Sequence, residues 1–170
     1  MYRKFLKSAI VLTVFYFNST PLFSAVVGND MPICKITPLG ETTSEELQKY
    51  KGQVIYVDFW ASWCVPCMHS FPFLNEMHEQ LKEKGLQIVA INMDENLEDA
   101  KAFLEKIPAK FKVVTDASTT AQCAKDFDVT AMPSSYLIDR KGIIHKVHLG
   151  FRSEDTNILR TEVEKLLSQK

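Results

Sequence analysis

Asp58-Phe59-Trp60-Ala61-Ser62-Trp63-Cys64-Val65-Pro66-Cys67 is where a strand hands over to a helix, with two cysteines at the junction. The lead-in Val54–Trp60 is β-branched and aromatic, the composition of a central strand buried on both faces. Beyond it Phe71, Leu74, Met77, His78 and Leu81 recur at helical spacing, which predicts a helix from about Cys64 to Lys84, stopped by Gly85. Pro66 has no N–H to lose in the first turn, whereas Pro72 inside the helix predicts a kink. Cys64 then stands at a helix N-terminus, where unpaired N–H groups and the helix dipole favour a thiolate. Moving a thiol pKa from about 8.5 to about 7 corresponds to roughly 2 kcal/mol in favour of the anion. Cys67 lies one turn further on, close enough to close a disulfide with Cys64. The arrangement suits a dithiol that cycles.

Working outward, Leu86–Asn92 reads as a second buried strand, parallel to the first if the helix between them is a right-handed crossover. Asn96 is a cap for a helix over Leu97–Lys106, followed by a short strand at Phe111–Thr115 and a short helix at Thr119–Phe127. The strands Ser135–Asp139 and Ile143–Leu149 form a hairpin about Arg140-Lys141-Gly142, and Ser153 caps a last helix over Glu154–Leu167. Upstream, Ile33–Ile36 reads as an edge strand and Thr43–Tyr50 as a short helix with hydroxyl caps ahead of acidic residues.

The 170 residues are 46% hydrophobic and 24% charged, the balance of a globular chain. Arg3, Lys4 and Lys7 precede an apolar run over Ala9–Phe17, a break at Asn18–Pro21 and a candidate cleavage point after Ala25. That pattern predicts a secretory signal peptide over residues 1–25, or an uncleaved anchor, and the apolar run is shorter than the ~20 residues a membrane span needs. Taking those three basic residues from 20 leaves 17 against 21 acidic ones, net −4 over residues 26–170, enough chain for one domain. A mildly acidic surface without a basic cluster argues against nucleic acid as a partner. Export would place the cysteines in an oxidising compartment, where disulfides persist unless reduced.

Trp63-Cys64-Val65-Pro66-Cys67 with Pro72 five residues on, together with Ala131-Met132-Pro133-Ser134 ahead of a strand, resembles the active site of the thioredoxin-like superfamily. The helix and short strand inserted over about 94–115 resemble the exported TlpA/ResA branch of that superfamily. The resemblance implies an α/β fold: a central mixed β-sheet flanked by helices, with an N-terminal extension and a central insertion. It implies a thiol–disulfide oxidoreductase, with Cys64 as the better exposed, attacking sulfur and Cys67 as the resolving one. Asp58 takes the place of the thioredoxin Asp that helps deprotonate the resolving cysteine. Pro133 is expected to be cis and to face the dithiol, with Met132 offering its backbone to an extended substrate and Trp63, Val65 and Pro66 touching it. Ser70 stands where the branch often carries a Glu, so its cytochrome c maturation role is not carried over.

Disulfide exchange needs no cofactor beyond the dithiol itself, and no nucleotide-binding GxGxxG occurs, so electrons would come from a partner. The resemblance implies a membrane thiol donor of the DsbD type, and disulfide-containing exported proteins as substrates. Val65 between the cysteines leans toward a reductase; an oxidase or isomerase with the same site is the first alternative. The second is a Cu(I)-binding module using Cys64, Cys67 and Met132, since soft ligands suit Cu(I). A zinc site would need a second cysteine pair or a Cys/His pair, and His69, His78, His145 and His148 do not cluster at metal spacing, so no metal is expected. Cys34 and Cys123 are isolated: they form either a structural disulfide or two buried free thiols.

Overall fold

A computed structural model describes residues 26–169, so the expected leader over 1–25 lies outside the described residues. Seven strands form one sheet in the order β2-β1-β5-β4-β3-β6-β7. Its centre is β3 (Val54–Trp60) beside β4 (Leu86–Asn92), parallel in register from Val54 with Leu86 to Trp60 with Asn92. On one side β5 (Lys112–Asp116) pairs parallel with β4, and β1 (Lys35–Pro38) pairs antiparallel with β5. On the other side β6 (Ser134–Ile138) runs antiparallel to β3, and β7 (Ile144–Leu149) antiparallel to β6. The fold is thioredoxin-like.

Every residue of β3 is buried, because the sheet is covered on both faces. Alternation divides its side chains. Val54, Tyr56 and Trp60 join the core packed under α1 (Val65–Leu81) and α4 (Thr156–Ser168), while Ile55, Val57 and Phe59 join the opposite core with Leu47, Cys34, Cys123 and Phe127. Trp60 packs edge-on against Phe71 of α1 and tilted against Phe103 of α2 (Leu97–Lys106), at centroid distances of 4.9 and 4.8 Å. This packing seats the first turn of α1 over the C-terminal end of β3. Gly85, at φ 98°, closes the turn after α1 in a conformation that favours glycine.

Several expected boundaries move for identifiable reasons. The strand foreseen at Ile33–Ile36 is β1 at Lys35–Pro38, and it is not the edge: the two-residue β2 (Glu45–Glu46) covers it. The helix expected at Thr43–Tyr50 is therefore half strand, and only Leu47–Tyr50 turns as 3₁₀. Ser44 bonds Thr37 rather than capping, and Leu47 N–H reaches Cys34 O at 2.8 Å, so pairing with β1 overrides the local helix signal. The helix expected at Thr119–Phe127 shrinks to α3 (Gln122–Asp126), since Ala121 adopts φ 52° ahead of it. Ser153 does not cap α4; a 3₁₀ turn at Ser153–Asp155 precedes it, with the Asp155 carboxylate accepting Arg152 N–H at 2.9 Å. Asn96 caps α2 as its sequence suggests, accepting from Glu98 N–H at 3.1 Å. Among the described residues no helix is long and apolar enough to cross a membrane.

Candidate active site

The chain leaves β3 at Trp60 and crosses Ala61–Trp63 before α1 begins. Asp94 ties that crossing down: its carboxylate accepts Ser62 N–H at 3.0 and 3.1 Å and the Ser62 hydroxyl at 2.9 Å. Asn92 holds the same carboxylate from below, at 2.7 Å. Cys64 is the N-cap of α1, and Cys67 N–H donates to Cys64 Sγ at 3.2 Å. The two cysteines are joined as a disulfide, with Cα atoms 5.2 Å apart. Ser70, one turn on, is buried and donates its hydroxyl to Cys67 O.

Cys64 is, as the sequence suggested, the better exposed of the two cysteines, but both are buried. Its residue exposure is 3%, against 0% for Cys67. Its sulfur faces the first turn of α1, where it accepts Cys67 N–H. The exposed surface is the rim: Trp63 (68% exposed), Val65, Pro66 and Met68. Trp60 is buried in the same core cluster as the two cysteines.

The loop leading into β6 arrives at the same end of the sheet. Ser134 pairs with Phe59, which brings Met132 and Pro133 to the end of β3 from which the cysteine loop departs. The Met132–Pro133 peptide is cis. Met132 packs half-buried against the core that holds both cysteines, and Gly150 N–H bonds Pro133 O at 2.7 Å. Among the described residues no three His, Cys, Asp or Glu side chains gather as a metal-binding group.

Asp58 is buried on the β3 face that carries Tyr56 and Trp60, beneath the disulfide's core. Ser135, its antiparallel partner on β6, donates its hydroxyl to Asp58 Oδ1 at 2.6 Å, while Oδ2 has no hydrogen-bond partner among the described residues. Burial pushes the Asp58 carboxyl up to about 7, against the opposing pull of the Ser135 hydrogen bond. Burial, and then the nearby Asp58 charge, raise the neighbouring Tyr56 phenol further above its ordinary range, so it stays protonated. Sequence reasoning found Asp58 but missed Ser135 and Asp94. A hydroxyl on a neighbouring strand is assigned only once register is known; the spacing of Asn92 and Asp94 after a buried strand was the available hint for a loop tether.

The remaining cysteines meet in the opposite core, near the same end of the sheet but on the β1–β5 side of β4 rather than at β3. Cys34 and Cys123 form a disulfide that ties the segment before β1 to α3, with Cα atoms 5.2 Å apart and a sequence separation of 89. Asp116 supports it from β5, accepting Cys123 N–H at 2.7 Å.

A family profile described as Redoxin matches residues 26–167. The chain belongs to the Redoxin family. A thiol–disulfide oxidoreductase named ResA from Bacillus thuringiensis subsp. konkukian is 34% identical over 116 residues, 68% of this chain. That match spans 65% of the relative's own length, just under two thirds. The ResA of Bacillus anthracis is 31% identical over 129 residues, covering 76% of this chain and 73% of its own. Among solved structures, a candidate thiol:disulfide interchange protein DsbE from Chlorobium tepidum superposes with a TM-score of 0.78 at 38% identity. That superposition covers 84% of this chain and 99% of the other.

Proposed function

We propose that this Redoxin-family chain is an exported thiol–disulfide oxidoreductase that reduces disulfides in other exported proteins. The observation that carries the reading is the bridged Cys64–Cys67 pair at the head of α1, with Cys67 N–H on Cys64 Sγ beneath the exposed Trp63, Val65 and Met68. The same N–H and the helix dipole favour an anionic Cys64 once the bridge is opened. The oxidoreductases named among its relatives support the chemistry, and the basic-then-apolar pattern of residues 1–25 supports export.

In this reading the reduced protein attacks with the Cys64 thiolate, and the substrate disulfide releases one thiol as a mixed disulfide forms on Cys64. Asp58 then accepts the Cys67 proton, the Cys67 thiolate attacks Cys64 Sγ, and the second substrate thiol leaves. Two electrons pass to the substrate and the Cys64–Cys67 bridge is restored. Met132 and Pro133 border the space the mixed disulfide must occupy, and Trp63, Val65 and Pro66 form its apolar rim. The redox group is the protein's own dithiol, without a further cofactor. Its electrons come from a membrane thiol donor of the DsbD type, and neither nucleic acid nor a metal takes part.

The test is the reduction potential of the Cys64–Cys67 pair, read by alkylation and mass spectrometry after equilibration in thiol buffers. A value below about −250 mV, near the thioredoxin range, is expected for a reductase. A value near about −120 mV would make the protein an oxidant and reverse the proposed direction.

A further inference from the structure

Asp58 has one neighbour whose geometry the mechanism above does not use. Ser135 is buried on β6, fixed opposite Asp58 by the β3–β6 register, and its hydroxyl donates to Oδ1 at 2.6 Å. A carboxyl group can otherwise rotate broadly about its last torsion. Tyr56, two residues before Asp58 on the same buried face, has Ser135 and Asp58 as neighbours. A protonated phenol can donate to the serine oxygen while the serine proton goes to the carboxylate, so the donors run in one direction from Tyr56 through Ser135 to Asp58. The unpartnered oxygen is Oδ2.

We infer that Ser135 is a positioning residue: with Tyr56 behind it, its hydroxyl occupies Oδ1, holds the carboxyl plane and leaves Oδ2 as the oxygen that takes and returns the Cys67 proton. The inference rests on the proposed role of Asp58 in resolving the mixed disulfide. Other titratable groups around this pocket are few. Tyr56 shares β3, Cys64 and Cys67 head α1, His148 stands opposite Ser135 on β7, and Asp155 lies 3.3 Å from His148 Nε2. Beside Asp58, β4 presents only Ala90, and α4 presents Leu159, Val163 and Leu166 to the same core. Among the described residues no lysine or arginine faces the carboxyl, so the neutral hydroxyl of Ser135 is its direct hydrogen-bond partner.

The probe is the mixed disulfide formed between Cys64 of the reduced protein and thionitrobenzoate, whose coloured thiolate is released when Cys67 attacks. Its release rate across pH 5 to 10 gives a rising limb that belongs to Asp58 and Cys67 as a coupled pair. Ser135→Ala is expected to move the midpoint of that limb up by about one to two units, slowing release about 10- to 100-fold on the acid side. The rate at the alkaline plateau is retained, and Ser135→Thr restores the wild-type midpoint. Tyr56→Phe moves it in the same direction by less. In an Asp58→Asn background only the Cys67 thiol titrates, and adding Ser135→Ala then shifts nothing.

An unmoved midpoint in Ser135→Ala, or an equal shift in the Asp58→Asn background, overturns the inference while leaving the role of Asp58 standing. A wild-type profile in Asp58→Asn alone removes the role of Asp58 itself, and the inference with it. Should Ser135→Ala not fold, Tyr56→Phe decides, since an unmoved midpoint there breaks the donor chain.

Discussion

The two disulfides have the same Cα separation, 5.2 Å, and similarly buried cysteines, yet they are different devices. Burial of the sulfurs does not separate them; chain length and neighbours do. Cys64–Cys67 spans three residues at a helix head rimmed by exposed Trp63, Val65 and Met68, and a buried acid with an unpartnered oxygen lies in the core beneath it. Cys34–Cys123 spans 89 residues, and its acid, Asp116, is half-buried and accepts Ser118 and Cys123 N–H through its two oxygens. In the chain-entropy picture the long loop contributes about 4–5 kcal/mol of stability and the short one about 1.5–2. One bridge can therefore open and close with little change in the stability of the fold, while the other ties the segment before β1 to the rest of the sheet.

Removing each pair in turn should separate activity from stability. Cys64→Ser is expected to lower turnover of a protein disulfide by at least about a thousandfold, as loss of a nucleophile does, with a small change in unfolding free energy. Cys34→Ala with Cys123→Ala should cost about 2–5 kcal/mol in urea unfolding and leave turnover per folded molecule near wild type. Insulin-reduction rates and denaturant midpoints, measured on both variants, would put the comparison at risk. A stable but inactive Cys34/Cys123 variant would make the second bridge part of the redox site.

Asp58 sharpens the contrast through pH. The Asp58 carboxyl is raised to about 7 in the fold, from about 3.8 in the unfolded chain. Its folded form holds the proton more tightly, so its contribution to stability is fully present below about pH 4 and is lost as pH rises toward 7. Between pH 5 and pH 8 that loss is roughly 3 kcal/mol, taking two pKa units at about 1.4 kcal/mol each. Asp58→Asn removes the slope. The oxidised variant should therefore gain about 3 kcal/mol relative to wild type at pH 8 over its difference at pH 5, by urea unfolding at both. Parallel curves would mean that Asp58 is already ionised in the folded protein.

How far these differences could be read from sequence follows from which of them are local. The β3–α1 junction was legible because it is written consecutively: a buried strand, two cysteines at helix spacing, a proline in the first turn. The cap of α2 at Asn96 was legible for the same reason. What failed was set by partners distant in the chain. Thr43–Tyr50 has the composition of a helix start, but Glu45 and Glu46 pair with Ile36 and Lys35, and only the tertiary fold supplies that partner. The pairing of Cys34 with Cys123 was left open, because connectivity over 89 residues depends on where β1 and α3 come to lie. Ser135 was invisible as a partner for Asp58 until register placed it there.

Asp94 offers the smallest and most local break. Its carboxylate holds Ser62, two residues before Cys64, through two backbone contacts and one hydroxyl contact. The aspartate is half-buried, so Asp94→Ala leaves Ser62 N–H partly open to water, at a cost of about 1–2 kcal/mol. The loop that sets the approach of Cys64 then loses its anchor to the turn after β4, and the rate at which reduced Cys64 reacts with iodoacetamide should change several-fold. Asp94→Asn keeps an oxygen for Ser62 N–H and should fall between the alanine variant and wild type. Reduction of Cys34–Cys123 by dithiothreitol should proceed at the wild-type rate in both. If Cys64 reactivity holds in Asp94→Ala while the whole protein loses stability, the carboxylate is a general fold contact, and the cysteine loop is held by α1 packing on Trp60 and Phe103 alone.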